Sequence, residues 1–177
     1  MFRVLVSDKI AQEGLAPLLQ SEQITVVEKN VAEVVDLHNY DALLVRSATK
    51  VTDELMAKMP KLKIIGRAGV GVDNIDLISA TKRGITVVNA PAGNTIATAE
   101  LAFALMLALM RKVCSANASI RKGEWNRSEF QGMELSGKKL GVIGFGRIGS
   151  AIAKRAKAFE MDVLAYSPTL TEDSAEK

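Results

Sequence analysis

The sequence predicts an α/β protein in which a doubly wound parallel sheet is followed by the first βαβ unit of a second parallel sheet. Three observations predict this fold class. Short β-branched runs alternate with helical patterns over roughly the first 95 residues. A long apolar helical stretch follows them. A G-x-G-x-x-G string then lies between a predicted strand and a predicted helix near residue 144.

The first half of the chain contains five predicted strands and the helices that connect them. The strands are residues 3–6, 24–27, 42–45, 62–65 and 85–88. The helices are residues 11–20, 31–37, 53–59 and about 75–82, and Gly84 follows the last one where a left-handed residue is wanted as a cap. Because the connections are short, the strands should be parallel and covered by helices on both faces.

The second half begins with a helix predicted from about residue 95 to residue 120. It is apolar nearly all round, so we expect it to be buried on every side, as a spine between two domains. A polar segment with the only tryptophan, Trp125, comes next. The last predicted elements are a strand at 139–143, a helix at 147–159 and a strand at 163–166, with a polar tail from residue 167.

Composition excludes several classes of protein. The chain has 177 residues, a hydrophobic share of 48% and a net charge of +3, without a polybasic run, so a packed core is expected and nucleic-acid binding is not. The longest apolar run, residues 101–110, is half of the ~20 residues that cross a bilayer. No signal peptide is recognised at the start, and Cys114, the only cysteine, should be buried. We expect a cytoplasmic protein without a metal site.

The glycine string is the sharpest motif in the sequence. Gly144 would turn the chain off the strand, and Gly146 would leave the backbone bare for a pyrophosphate. Gly149 would let the helix approach the strand closely. An anion would then bind the free N–H groups at the start of the helix. The alternative is a plain glycine turn in a parallel sheet, but the flanking strand and amphipathic helix favour dinucleotide binding.

One position departs from this fingerprint. An Asp or Glu is expected about 20 residues after the glycines to hold the ribose hydroxyls. Ser167 stands there, 18 residues after Gly149, and offers one oxygen without charge. No arginine follows it to attract a 2′-phosphate, so the sequence favours NAD over NADP.

Polar residues follow three of the early strands. Arg46 and Ser47 follow the third strand, a glycine-rich turn with Arg67 follows the fourth, and Asn89 follows the fifth. Asn94 would cap the long helix. Guanidinium groups, free amides and a helix N-terminus at one sheet edge suggest a site for a small anion. The alternative is that the arginines are solvated side chains at loop ends and bind no ligand. For Arg67 the sequence favours neither interpretation. For Arg46 and Ser47, directly after a strand, it favours a functional site.

Five strings in order resemble the motifs of the D-2-hydroxyacid dehydrogenases. They are VRSATKV (45–51), GRAGVGVDNID (66–76), NAPAGNTIATAE (89–100), KGEWNR (122–127) and GVIGFGRIG (141–149). The first is more typical of members that act on phosphoglycerate than of the lactate or formate enzymes. The resemblance implies a flavodoxin-like substrate-binding domain over residues 1–97. It also implies part of a Rossmann NAD-binding domain over residues 98–177.

The same resemblance implies roles for individual residues. Arg46 and Ser47 would face the phosphate of 3-phosphoglycerate, and the amides of Ala68, Gly69 and Val70 would meet its carboxylate. Val70 would also lie near the nicotinamide of NAD, and the amides of Arg147 and Ile148 would contact the pyrophosphate. Ser167 would occupy the position that binds the adenosine ribose, and Trp125 would lie in an arm that packs on a second subunit of a homodimer. Asn94 is assigned to the anion site by its place at the start of the long helix and not by the resemblance.

The resemblance also places the catalytic residues elsewhere. The family uses an Arg, a Glu and a His from later in the chain, so this chain should oxidise 3-phosphoglycerate to 3-phosphohydroxypyruvate, a step of L-serine biosynthesis, only as part of a longer enzyme. By itself we expect it to be inactive. His38, the only histidine, has helical spacing and a structural role. The alternatives are a non-catalytic anion-binding or oligomerising fragment, a nucleotide-binding regulatory module, and another D-2-hydroxyacid dehydrogenase.

Overall fold

The structure, a computed structural model, describes residues 1–168, 170 and 171. The chain forms two compact units, Met1–Gly93 and Asn94–Lys177. The predicted tail from residue 167 lies largely outside the described residues. None of the helices in the described part is long and apolar enough to cross a bilayer.

The first unit is a five-stranded, wholly parallel sheet with the order β2-β1-β3-β4-β5. Its strands are β1 (Phe2–Val6), β2 (Ile24–Glu28), β3 (Ala42–Val45), β4 (Ile64–Arg67) and β5 (Thr86–Asn89). Its helices are α1 (Gln12–Leu19), α2 (Asp53–Ala57) and α3 (Leu77–Lys82). The order is that of the flavodoxin-like doubly wound sheets, so the predicted fold class is confirmed.

The sheet of the first unit is buried on both faces. Leu5 and Leu43 belong to one apolar cluster, whereas Val4, Val6 and Ala42, their neighbours along the strands, belong to another that includes α1. Successive strand residues point to opposite faces, so an unbroken apolar strand supplies both clusters.

Side-chain caps set the boundaries of the short helices. Thr52 accepts a hydrogen bond from the N–H of Leu55 at the start of α2, and Asp76 accepts one from the N–H of Ser79 at the start of α3. Gly84 has a φ of +68° directly after the cap of α3, as the sequence predicted. The predicted fourth strand is displaced because Leu62 is still in a turn, where its N–H donates to the carbonyl of Met59.

The prediction of a helix at residues 31–37 was wrong. The structure has two single 3₁₀ turns there, Val31–Glu33 and Leu37–Asn39. Asn30 accepts from the N–H of Ala32 and starts the first turn, but the Val34 backbone is already extended at φ −93° and ψ 120°. Adjacent β-branched valines disfavour continuation of so short a helix. His38 therefore lies on a 3₁₀ turn and is exposed.

In its described residues, the second unit has three helices and a two-stranded parallel sheet. The elements are α4 (Thr95–Met110), α5 (Val113–Arg121), a 3₁₀ turn (Arg127–Phe130), β6 (Lys139–Ile143), α6 (Arg147–Ala158) and β7 (Asp162–Tyr166). The strands pair in parallel with Ile143 opposite Tyr166, and α6 connects them, so this is the predicted βαβ unit. Phe103, Ala156 and Met161 form its core.

The predicted long helix is broken and largely exposed, which corrects two expectations. Lys112 takes a left-handed φ of 52° between α4 and α5, and the carbonyl of Met110 accepts the N–H of Met133 from a returning segment. Of α4, only Ala99 and Phe103 are buried. Leu101, Leu105 and Leu109 share one face and are exposed by 59%, 62% and 79%, and Cys114 on α5 is exposed as well.

Candidate functional site

The first candidate site lies where β1 and β3 end. These strands are parallel neighbours, and the N–H of Ser7, just after β1, donates to the carbonyl of Leu44 in β3. The residues that follow β1 and β3 therefore leave the same edge of the sheet. Arg46 and Ser47 are exposed at that edge, whereas Asp8 beside them is buried.

The Asp8 carboxylate holds the loop that follows β3. One oxygen, Oδ2, accepts the N–H of Arg46 at 2.6 Å and the N–H of Thr49 at 3.1 Å. The other oxygen, Oδ1, accepts the hydroxyl of Thr49 at 2.6 Å. Burial by itself raises the pKa of Asp8, but the Thr49 hydroxyl and the N–H groups of Arg46, Thr49 and Ala48 hold that pKa below its ordinary value.

The hydroxyl groups of Ser7 and Thr49 form a series of hydrogen bonds in which each donates toward Asp8. Since the Thr49 hydroxyl donates its only proton to Asp8, the Ser7 hydroxyl, 2.8 Å from Thr49 Oγ1, must donate to Thr49. Ser7 Oγ in turn accepts the N–H of Val31 at 3.0 Å. The series ends on an anion, so every link favours an ionised Asp8.

Asn74 holds the same loop from the other side. Its Nδ2 donates to the carbonyl of Arg46 at 2.7 Å and to the carbonyl of Thr49 at 2.6 Å. The backbone of Asn74 is itself fixed, because its carbonyl accepts the N–H of Val51 at 2.8 Å. The main chain of Arg46 is thus bound at both its N–H and its carbonyl.

The Arg46 guanidinium remains available to a ligand. Within residues 1–168, 170 and 171 it makes no ion pair and no hydrogen bond. Asp8, the acidic group nearest in the network, uses its carboxylate for backbone and hydroxyl donors instead. An exposed guanidinium on a fixed loop, followed in the chain by the exposed Ser47, suits a phosphate or carboxylate group.

Arg67, at the end of β4, has a structural role. Its Nη1 donates to the carbonyl of Gly71, and its Nη2 lies 3.6 Å from the Asp73 carboxylate. A Cβ added at Gly69 would meet Arg67 Nη1 at 2.9 Å, and one at Gly71 would meet Asp73 at 2.8 Å. These two glycines therefore make room for the side chain of Arg67, whose Nε is buried without a partner among the described residues.

Only one of the three predicted amides at this turn is free. The N–H of Ala68 donates to the carbonyl of Val45, and that of Gly69 donates to the carbonyl of Arg67. Among the described residues, the N–H of Val70 has no acceptor. Asn89, the last residue of β5, donates from Nδ2 to the Val70 carbonyl at 2.6 Å and so holds the Val70–Gly71 peptide that follows this amide.

The second candidate site is the glycine turn between β6 and α6. Gly144 has a φ of +92°, which L side chains rarely adopt. A Cβ on Gly149 would collide with the backbone carbonyl of Gly144 and approach Val142 to 3.2 Å. A Cβ on Gly146 would meet nothing within 4 Å, so the fold does not require that glycine. The roles inferred for Gly144 and Gly149 match this geometry, and the space at Gly146 is open.

The first turn of α6 presents free donors beside that space. Within the described part of the chain, the N–H groups of Arg147, Ile148 and Gly149 have no acceptor, and Gly146 supplies no side-chain cap. Unsatisfied donors at the positive end of a helix of 12 residues suit an anion. The residues present therefore fit the pyrophosphate of a dinucleotide.

Three other predicted site residues have different surroundings. Ser167 directly follows β7, whose last carbonyl, on Tyr166, accepts the N–H of Gly144, so Ser167 is adjacent to the glycine turn. Asn94 is the exposed N-cap residue of α4 and makes no side-chain cap bond. Trp125 is 75% exposed between α5 and the following 3₁₀ turn. The described residues contain no group of three or more His, Cys, Asp or Glu that could hold a metal ion.

Sequence reasoning missed Asp8 and Asn74. Asp8 stands two residues after β1, so the rule that drew attention to the ends of other strands could have found it. Asn74 lies in the connection between β4 and α3, and nothing in its sequence surroundings indicates that it reaches the loop after β3.

The Asp8 contacts predict a pH-dependent contribution to stability. Because the pKa of Asp8 is lower in the folded state, its contribution is complete above the unfolded pKa, ~4, and is lost as the pH falls through the folded value. Asp8→Asn should lower the free energy of unfolding by about 1.5–3 kcal/mol at pH 7, and by less at pH 3. Urea denaturation at both pH values, followed by the amide signals of β1 and β3, measures the difference.

Asp36→Asn serves as the control for that measurement, because it also removes a carboxylate from the first unit but lies in a partly exposed ion pair with Arg3. It should change the stability at pH 7 by much less. A destabilisation by Asp8→Asn that is equal at the two pH values would contradict an ionised Asp8.

Comparison with known proteins places this chain in a family. Residues 4–177 match the family model of the D-isomer specific 2-hydroxyacid dehydrogenase catalytic domain. A Bacillus subtilis protein named D-3-phosphoglycerate dehydrogenase is 60% identical over 178 residues, which cover 100% of this chain and 34% of the relative. A protein of the same name from Archaeoglobus fulgidus is 49% identical, with 99% and 34% covered.

A solved structure is also similar to nearly the whole of this chain. D-lactate dehydrogenase from Aquifex aeolicus, in complex with NAD and lactic acid, superposes with a TM-score of 0.84 at 34% identity, covering 98% of this chain and 54% of that one. The chain spans about a third of the length of the curated relatives it matches. Since the family model covers nearly the whole sequence, this chain belongs to the D-isomer specific 2-hydroxyacid dehydrogenase family.

Proposed function

We propose that this chain supplies the substrate-anion site and the pyrophosphate site of an NAD-dependent enzyme that oxidises 3-phospho-D-glycerate to 3-phosphohydroxypyruvate. The observation that carries the proposal is the set of free donors at the start of α6, beside a glycine that the fold itself does not require. The name of the 60% identical Bacillus subtilis relative supports the choice of substrate. The reaction would belong to L-serine biosynthesis.

The substrate would bind through its two anionic ends. Arg46 and Ser47 would hold the phosphate, because a guanidinium can bind two phosphate oxygens at once. The carboxylate would accept the N–H of Val70, the free amide of the turn after β4. Because the substrate would be held at both ends, its C2 hydroxyl would be oriented without a charged side chain beside it.

The cofactor would bind through the second unit. The N–H groups of Arg147, Ile148 and Gly149 would hold the pyrophosphate, and Gly144 and Gly146 would shape the turn around it. When bound, NAD would supply the hydride acceptor. Ser167 would hydrogen-bond the adenosine ribose.

The proposal gives no proton-transfer role to the residues of this chain. His38 is the only histidine of the sequence, and it lies on the 3₁₀ turn before β3 rather than after the end of a strand. The acid/base group and the other catalytic residues are proposed to lie in the part of the enzyme that these 177 residues do not include. The chain by itself should bind ligands without oxidising them.

Replacement of Arg46 tests the substrate site. Arg46→Ala should weaken binding of 3-phosphoglycerate by about 10–100-fold, the equivalent of a charge-assisted contact of about 1.5–3 kcal/mol. Binding of glycerate, which lacks the phosphate, should change little. The measurement is an NMR titration of the chain that follows the amide signals of Ser47 and Val70.

Lys50→Ala is the matched control, because it removes an exposed positive charge from the same loop. It should weaken binding of 3-phosphoglycerate much less than Arg46→Ala does. Equal losses in the two variants would point to a general attraction of anions and against a site built on Arg46.

Replacement of Gly146 tests the cofactor site. Gly146→Ala should lower the affinity for NADH by about tenfold or more, because the new methyl group would occupy the path of the pyrophosphate. The melting temperature should not change, since a Cβ there meets nothing within 4 Å. Calorimetry or fluorescence titration with NADH gives the affinity.

Two further glycines calibrate this experiment. Gly141→Ala adds the same methyl group in β6, also with nothing within 4 Å, and should affect neither property. Gly149→Ala should destabilise the second unit, because its Cβ would collide with the Gly144 carbonyl. Unchanged NADH affinity in Gly146→Ala would count against a pyrophosphate at this turn.

The enzyme is also proposed to be a homodimer, with Trp125 at the interface. The support is the 75% exposure of Trp125 and the exposed leucine face of α4 in the same unit. Trp125→Ala should weaken self-association by roughly tenfold or more in analytical ultracentrifugation. Val35→Ala removes another exposed apolar side chain, 98% exposed in the first unit, and should have no effect. A protein that is monomeric at micromolar concentration would rule out this proposal.

A further inference from the structure

We propose that Asp8 and Asn74 are positioning residues of the anion site, which hold the loop of residues 46–50 from its two sides so that Arg46 and Ser47 meet the substrate phosphate. This inference rests on the proposed substrate site. Neither residue contacts the phosphate in the proposal. Both act through the main chain of the loop.

Asp8 binds the N–H groups of the loop, and Asn74 binds its carbonyls. The carboxylate accepts the N–H groups of Arg46 and Thr49, at 2.6 and 3.1 Å. The carboxamide nitrogen donates to the carbonyls of the same two residues, at 2.7 and 2.6 Å. Arg46 and Thr49 therefore each have both main-chain polar groups bonded to these two side chains, which come from different connections of the sheet.

The chemistry of each position is specific. Asp8 offers only acceptors, and three donors of Arg46 and Thr49 converge on its two oxygens. An asparagine there would turn an NH₂ group toward at least one of those donors. Asn74 must supply donors, because an aspartate in its place would bring a carboxylate against two carbonyl oxygens.

Asp8 is anchored by the sheet, and Asn74 is anchored at Val51, where the loop ends. Asp8 follows β1, a central strand of the sheet with neighbours on both sides. The carbonyl of Asn74 accepts the N–H of Val51, and Val51 pairs with Ile75 in an isolated bridge. The loop cannot shift without breaking hydrogen bonds to fixed elements, so the Cα of Arg46 is held before a ligand arrives.

This arrangement explains why a buried acid lies beside a binding arginine. A free carboxylate next to Arg46 would compete with the substrate phosphate for the guanidinium. Here the carboxylate is occupied by backbone and hydroxyl donors, so it fixes the loop and leaves the side chain of Arg46 unpaired. Preorganised donors bind an anion more tightly than donors that must be ordered on binding.

A double-mutant cycle tests the proposal in the full chain, with 3-phosphoglycerate as the probe. Asp8→Asn and Asn74→Ala are each made alone and in the Arg46→Ala background, and affinities are measured by NMR titration. Each single variant should weaken binding by about tenfold, and should weaken it by less than about twofold when Arg46 is already absent. Affinity for NADH should stay the same in all variants, which monitors the second unit.

A spectroscopic readout accompanies the affinities. The amide proton signals of Arg46 and Thr49 should move upfield in Asp8→Asn, because their short bonds to a carboxylate are lost. Asp36→Asn, a carboxyl-to-amide change elsewhere in the first unit, should alter neither these signals nor the affinity. Asn74→Ala keeps the test decisive if Asp8→Asn unfolds, since Asn74 is only half-buried.

The outcomes separate this proposal from the one it rests on. If the unsubstituted chain does not bind 3-phosphoglycerate, the proposed substrate site fails and the positioning role fails with it. If Arg46→Ala weakens binding but Asp8→Asn and Asn74→Ala do not, only the positioning role is overturned. Equal losses with and without Arg46 would also overturn it, because they would indicate a general loss of structure.

Discussion

The backbone groups that a parallel strand leaves unpaired where it ends are the constraint on which both candidate sites depend. Every strand in the two sheets is parallel, so the chain must leave each carboxyl end through a loop whose N–H and C=O groups have no strand partner. Such groups must find acceptors and donors within the loop, in other side chains, in water or in a ligand. The two units satisfy this requirement in different ways.

The first unit satisfies most of its loop groups with its own side chains. Asp8 and Asn74 bind the loop after β3, Arg67 binds the turn after β4, and Asn89 fixes the Val70 peptide. Among the described residues, the Arg46 guanidinium and the N–H of Val70 make no bond, and Arg67 Nε and Asn74 Oδ1 are buried without a partner. In the second unit, the N–H groups in the first turn of α6 have no acceptor within the part of the chain that the structure describes. A fixed loop with an unpaired guanidinium suits a compact substrate anion, whereas a row of free amides suits a pyrophosphate.

The glycines illustrate what a sequence can and cannot indicate. Gly69 and Gly146 both stand in glycine-rich turns after a strand, and both were assigned to ligand sites. In the structure, a Cβ at Gly69 would meet the side chain of Arg67, whereas a Cβ at Gly146 would meet open space. The lack of a side chain at Gly69 makes room for the side chain of Arg67, whereas at Gly146 it leaves space that a ligand could fill. Only the path of the Arg67 side chain distinguishes them, and that path depends on the acceptors at Gly71 and Asp73.

Much of the fold could be predicted because it follows from local patterns. Unbroken apolar strands, short connections and the left-handed Gly84 gave the parallel sheet, and the motif order gave the family, which the match over residues 4–177 confirmed. The two failures at the long helix share a cause, since both depend on contacts distant in sequence. Leucine content predicted a buried helix, but burial of α4 requires a partner for the face of Leu101 and Leu105. Its end at Met110 depends on the returning N–H of Met133, which no helical pattern contains.

Ser167 shows how the glycine turn limits the choice of cofactor. Because the Tyr166 carbonyl accepts the Gly144 N–H, the residue after β7 is held beside the turn whatever its side chain is. An aspartate there would bind both ribose hydroxyls and repel a 2′-phosphate, so one residue would supply affinity and selectivity together. Serine retains a hydrogen bond but removes the repulsion. Under the proposed function, selectivity for NAD over NADP would then have to come from residues other than the one after β7.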